Sequence, residues 1–128
     1  MAEARRTVLV VDDQEDERKI QCAMLMHLGF DVREAADGAE ALADATAAPP
    51  DLVLLDIAMP RMDGVAVCRA LRADPRTAAV PVLFFTASVV GDLAAMAAEV
   101  GAQGILAKPV DPRQVVGEVR RILGDPPA

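Results

Sequence analysis

An α/β fold, with a parallel sheet covered by helices on both faces, is predicted by three observations on this 128-residue chain. Short apolar runs rich in Val, Leu and Ile alternate with helix-period segments five times. The runs are punctuated by Gly, Pro and Asp, the residues that end strands and open turns, and no repeat or low-complexity tract breaks the alternation. Alternation of this kind builds parallel sheets, and right-handed crossovers leave few ways to wind one. At 53% hydrophobic content, residues 1–128 read as one domain, its core running from about 6 to 124.

Thr7-Val8-Leu9-Val10-Val11 is a β-branched run that stops at Asp12-Asp13, which suits a central strand. Ile20, Ala23, Met24, His27 and Leu28 then recur at helical spacing, and Gly29 supplies a left-handed stop. His27, the one histidine, has no co-ligands near it and fits the helix C-terminus. Phe30-Asp31-Val32-Arg33 alternates apolar and charged, as an edge strand does. Asp37-Gly38 opens an Ala- and Glu-rich helix closed by Pro49-Pro50. Leu52-Val53-Leu54-Leu55 is apolar without interruption, so it predicts a strand buried on both faces, delivering Asp56 to its carboxyl end. A Pro- and Gly-punctuated loop follows, and Asp63-Gly64 opens a helix that Asp74-Pro75 ends.

Val80 to Phe85 predicts another buried strand, with Pro81 tolerable only near its start, and it finishes at Thr86-Ala87-Ser88. A helix carrying Leu93, Met96 and Val100 on one face leads through Gly101 and Gly104 to the short strand Ile105-Leu106-Ala107, which ends at Lys108-Pro109. The last helix has Asp111 as N-cap, Pro112 at its first position and Val115, Val116, Val119, Ile122 and Leu123 at core spacing. Gly117 in its interior should weaken it by roughly 1 kcal/mol.

Composition narrows the function. The formal charge is −7, aromatic content is 2% and the three rings are Phe30, Phe84 and Phe85. Without a basic block or a stacking platform, the chain is not expected to grip nucleic acid directly. Cys22 and Cys68 have no metal or redox spacing and read as small buried hydrophobes. No apolar run approaches the ~18 residues of a membrane helix and no stretch resembles a secretory signal, so a cytoplasmic location without membrane insertion is expected.

Four of the five strands end in a chemically useful residue: Asp12 and Asp13, Asp56, Thr86 and Lys108. Parallel strands point their carboxyl ends the same way, toward the edge where ligands of open α/β sheets collect. Singly, each has an ordinary reading: Asp12 and Asp13 as a helix cap, Asp56 as a turn residue, Thr86 as a strand end, Lys108 as a solvated charge. Jointly they describe a site. Three close carboxylates suit a hard cation such as Mg²⁺, which keeps several waters. Asp56 could then attack phosphorus and form an acyl phosphate, with Lys108 and Thr86 meeting the phosphoryl oxygens.

The segments Val8 to Asp13, Leu52 to Gly64, Phe84 to Ser88 and Gly101 to Pro109 resemble, in residues and in spacing, the receiver domain of two-component response regulators. The resemblance implies a flavodoxin-like fold, a five-stranded parallel sheet of order 2-1-3-4-5 with five helices on both faces. It implies that Asp56 accepts phosphoryl from a sensor histidine kinase or a histidine phosphotransfer protein. Asp12, Asp13, Asp56 and the backbone carbonyl of Ala58 would hold Mg²⁺. Lys108 would pair with the phosphate, Thr86 would swing toward it, and the Lys108-Pro109 peptide would be cis.

Two departures from the family pattern carry expectations. Ile105 stands where many receivers have Tyr or Phe, so switching is expected to run through Thr86, the loop after it and the next helix. Ala58 and Ser88 stand where amides or acids often orient water, so a long phosphoryl lifetime is expected. The chain is accordingly expected to act as a stand-alone response regulator, not an enzyme. Its downstream protein effector would dock on the face of helix 4, strand 5 and helix 5, with Arg113, Arg120 and Arg121 contributing. The alternatives are a receiver-like interaction module without phosphoryl chemistry and an aspartyl-phosphate phosphohydrolase. The second is weakened by Ala58 standing where such enzymes place an acid.

Overall fold

The computed structural model describes residues 6–59, 61–87, 93–108 and 111–124. Five strands and five helices alternate in the order β1 (Thr7–Val11), α1 (Glu15–His27), β2 (Asp31–Ala35), α2 (Gly38–Ala47), β3 (Leu52–Asp56), α3 (Gly64–Ala73), β4 (Val82–Thr86), α4 (Leu93–Glu99), β5 (Gly104–Ala107) and α5 (Pro112–Leu123). All strand pairs are parallel and the sheet order is β2-β1-β3-β4-β5, the predicted winding.

Because side chains alternate along a strand, each strand supplies both faces of the sheet. Leu9, Val11, Val53, Leu55, Val82 and Phe84 face a layer made by α2, α3 and α4 through Ala41, Ala45, Val67, Cys68, Leu71 and Ala97. Val8, Val10, Leu52, Leu54, Leu83 and Phe85 face α1 and α5 through Cys22, Leu25, Val115 and Val119. Burying Phe84 and Phe85 completely contributes about 2–3 kcal/mol each. The register Leu55↔Phe84 and Asp56↔Phe85 places the last residue of β3 level with the penultimate residue of β4, one before Thr86.

Three sequence readings need adjusting. In α1 the buried side carries Gln21, Cys22 and Leu25, whereas Ile20 is 69% exposed and Ala23 and His27 are also exposed. The buried stripe is displaced by about one position from the predicted set, of which Met24 and Leu28 are half-buried, because Gln21 is polar yet buried. Strand β4 begins at Val82, not Val80, since Pro81 has no N–H to give, though its carbonyl still accepts from Val53 N at 2.9 Å. Strand β2 runs on to Ala35, which is buried against the β1 neighbours.

Helix starts follow the local chemistry. Asp37 caps α2 by accepting from Glu40 N (2.8 Å), Asp63 caps α3 from Ala66 N (2.9 Å), and Asp111 caps α5 from Arg113 N (2.8 Å). Gln14 caps α1 without a side-chain bond, and the acids Glu15, Asp16 and Glu17 complement the helix dipole instead. No described helix is long and apolar enough to cross a membrane.

Candidate functional site

The strand ends are tied together by backbone bonds that continue each ladder past its last residue. Asp12 N donates to Ala35 O (3.2 Å), Ile57 N to Phe85 O (3.2 Å) and Lys108 N to Thr86 O (2.7 Å). These fix where the functional side chains leave the sheet. Asp12 is fully buried, Asp56 and Thr86 are buried, and Asp13 is half-buried.

Asp12, Asp13 and Asp56 each turn a carboxylate oxygen into one cluster, all within 4.8 Å of one another. Asp12 Oδ1 accepts from Gln14 N (2.9 Å) and Asp56 Oδ1 from Ala58 N (3.1 Å), so both carboxylates are oriented by the chain beyond their own strand. Asp12 Oδ2 and Asp13 Oδ1 are buried with no hydrogen-bond partner among the described residues. Buried, unpartnered anionic oxygens are costly unless something positive completes them. A Mg²⁺ ion fits the set in charge and in hard-oxygen chemistry.

Lys108 is the cation already present. Its Nζ lies 3.5 Å from Asp56 Oδ2, 3.7 Å from Asp12 Oδ2 and 2.6 Å from Glu17 Oε2, with the ammonium 4.9 Å from the Phe85 ring centroid. Burial pushes the Asp12 carboxyl up to about 6 from an ordinary 3.8, against the pull of the Gln14 N–H and of Lys108. The charges of Asp56 and Glu17 add to the rise. Burial raises Asp56 too, partly offset by Lys108 and the Ala58 N–H. Burial alone would lower Lys108, but the bond to Glu17 and the charges of Asp56 and Asp12 outweigh it and hold the ammonium above its usual value. Two carboxylates this close and this dry hold a proton between them more readily than separate ones do.

The loop after β3 packs back closely on the strand end. Gly64 N donates to Ile57 O (2.9 Å), and a Cβ on Gly64 would collide with the Asp56 carbonyl and lie 2.8 Å from Ile57 Cα. Only glycine permits that approach. Arg61 in the same loop has φ 69°, a left-handed conformation that costs a non-glycine residue about 1 kcal/mol.

The structure thus brings Asp12, Asp13, Asp56 and Lys108 together, with Thr86 at the end of the adjoining strand. Ala58 is exposed, and its N–H is the group seen at Asp56. Ser88 and Pro109, and with Pro109 the expected cis peptide, lie outside the described residues. Ile105 is half-buried and packs on the α3/α4 layer. Arg121 is not free for docking: it pairs with Glu118 at 2.8 Å and donates to Gln103 O at 2.5 Å. Sequence reasoning missed Glu17 and Arg18. Glu17 lies in the first turn of α1, among the acids Glu15 and Asp16, and its spacing from Asp13, which precedes the helix, gives no sign of its contact with Lys108. Arg18 holds the Asp12 carbonyl at 2.8 Å and Glu34 at 2.9 Å, tying α1 to β2.

A family model described as response regulator receiver domain matches residues 8–120. Among curated proteins, the DNA-binding dual master transcriptional regulator RpaA of Synechocystis is 36% identical over 116 residues, covering 91% of this chain and 48% of the relative. The alkaline phosphatase synthesis transcriptional regulatory protein PhoP of Bacillus subtilis is 37% identical over 118 residues, covering 92% and 48%. The chain therefore spans about half the length of these relatives. Among solved structures, the chemotaxis protein CheY4 of Vibrio cholerae superposes with a TM-score of 0.87 at 34% identity, over 93% of this chain and 99% of that one.

Proposed function

The chain belongs to the response regulator receiver family, and from that premise we propose that it accepts a single phosphoryl group on Asp56 and signals by changing what it docks to. The donor is the phosphohistidine of a sensor histidine kinase or a histidine phosphotransfer protein. An Asp56 carboxylate oxygen attacks phosphorus, the N–P bond breaks, and the imidazole leaves with the bonding pair while an O–P bond forms.

The observation that supports this most is the convergence of three carboxylate oxygens within 4.8 Å, with Lys108 Nζ 3.5 Å from Asp56. Asp12 and Asp13, with Asp56 and the Ala58 carbonyl, would hold Mg²⁺, which screens the negative charge between acceptor and incoming phosphoryl oxygens when bound. Asp12 is kept in place by its bond from Gln14 N and Asp56 by its bond from Ala58 N. Lys108 meets a phosphoryl oxygen, and the Thr86 hydroxyl meets another from the next strand. Binding of the phosphoryl group by Lys108 and Thr86 in one arrangement better than the other is sufficient to shift a population. The shift then reaches the α4, β5 and α5 face, where Arg113 is exposed.

Ala58 offers no polar side chain that could aim a water at the acyl phosphate, so unless Ser88 or a partner positions one, hydrolysis is slow and the group has a long lifetime once formed.

Incubation with acetyl phosphate and Mg²⁺, read by intact mass, tests the reading. One base-labile phosphoryl group per chain, absent from Asp56→Asn, is the expected result. No adduct on the wild type would leave an interaction module without phosphoryl chemistry, and continuous phosphate release would make the chain a phosphohydrolase.

A further inference from the structure

Lys108 is placed by an acid outside the strand-end cluster. Its side chain is only 16% exposed and carries its ammonium over the Phe85 ring, so the charge is held where it must choose among the acids within reach. The short contact is with Glu17 Oε2 at 2.6 Å, the length of a charge-assisted hydrogen bond. Asp56 Oδ2 at 3.5 Å and Asp12 Oδ2 at 3.7 Å are at or beyond the limit of a direct bond. Glu17 stands at the rim, with its side chain 46% exposed, in the first turn of α1. The lysine is thus drawn outward, away from the acceptor, and ties α1 to the end of β5 in doing so.

We propose that Glu17 is a positioning residue that retains Lys108 in the unmodified chain, so that acyl-phosphate formation at Asp56 must first break the Glu17–Lys108 pair. This rests on the reading of Asp56 as phosphoryl acceptor. A dianionic phosphoryl group on Asp56 offers Lys108 a stronger partner on its inner side. Transfer therefore exchanges one ion pair for another and releases the first turn of α1 from β5. The neighbouring acids Glu15 and Asp16 are exposed and carry the same charge on the same turn, yet make no described contact with Lys108.

That difference supplies the test. Glu17→Gln keeps the shape and removes the charge, whereas Glu15→Gln removes an equal charge from the same turn without touching the pair. With acetyl phosphate and Mg²⁺, Glu17→Gln should take up the adduct roughly three- to tenfold faster than wild type, the range a half-exposed charged hydrogen bond supports, and Glu15→Gln within about twofold of it. In the unmodified, metal-free protein the ¹⁵N signal of Lys108 Nζ should move in Glu17→Gln and stay put in Glu15→Gln. Equal acceleration in both variants would reduce the effect to the general field and overturn the proposal. An unchanged or slower rate in Glu17→Gln, in a preparation whose wild type does take the adduct, would overturn it alone. Failure of the wild type to take any adduct would instead remove the acceptor role of Asp56 and the retention of Lys108 with it.

Discussion

The two edges of the sheet are built from similar residues to opposite effect. At the amino-terminal edge, Asp51 Oδ2 accepts from Thr7 N (2.7 Å) and Gln103 Oε1 from Val82 N (2.7 Å). Arg72 reaches from the end of α3 to Val80 O (2.6 Å) and Gly101 O (2.8 Å), and Thr77 Oγ1 donates to Leu71 O (2.7 Å). At the carboxyl edge Asp12, Asp13, Asp56 and Glu17 surround Lys108, and Asp12 Oδ2 and Asp13 Oδ1 are buried without a hydrogen-bond partner among the described residues. One edge is satisfied and holds the fold together. The other keeps its charges unsettled, as sites that must receive a ligand do.

Damage to the satisfied edge should therefore reach stability and spare chemistry. Arg72→Ala strands several carbonyls around a part-buried charge site and should cost about 2–4 kcal/mol in urea unfolding, while the rate of adduct formation stays within about twofold. An equal loss of both would mean that the edges are not separable.

Relief at the unsettled edge should do the reverse. Asp12→Asn is expected to raise metal-free stability at neutral pH by about 1–2 kcal/mol while preventing Mg²⁺ binding. The sign follows from the raised carboxyl. Below 3.8, folded and unfolded chains are both protonated there and nothing is lost; the penalty grows as pH rises and is complete above about 6. The advantage of Asp12→Asn should accordingly be small at pH 4 and full at pH 7. Carboxyls lowered by their partners, such as Glu34 beside Lys19 and Arg18, pull the other way on acidification, so the difference between variant and wild type is the quantity to follow. The smallest effect belongs to neither edge. A Cβ on Gly117 meets nothing within 4 Å, so Gly117→Ala should add roughly 0.5–1 kcal/mol by calorimetry and leave chemistry unchanged.

The asymmetry between the edges was only half legible in the sequence. Strands β1, β3 and β4 were readable because apolar runs with abrupt polar ends have few other uses, and Asp12, Asp13, Asp56 and Thr86 came with them as strand-end residues, as Lys108 did with the short β5. Alternation pointed to a parallel sheet, and the order β2-β1-β3-β4-β5 came from the resemblance to receiver domains. The face of α1 was misread because a buried Gln21 and an exposed Ile20 invert the usual assignment, a tertiary override that spacing does not reveal. Glu17 was hidden among three consecutive acids that serve the helix dipole equally well. Its part depends on Lys108, 91 residues away, and no local pattern reports that approach. Arg72 was hidden for the same reason: its partners lie on the loops before β4 and β5.

The account turns on whether the carboxyl edge is completed by a divalent cation. Thermal unfolding of wild type and Asp12→Asn at pH 7 across a Mg²⁺ titration measures that directly. The wild-type midpoint should climb with Mg²⁺, by the equivalent of about 2.7 kcal/mol at a hundredfold excess over the dissociation constant, and the variant should not respond. A wild-type midpoint indifferent to Mg²⁺, or an equal climb in Asp12→Asn, would contradict it.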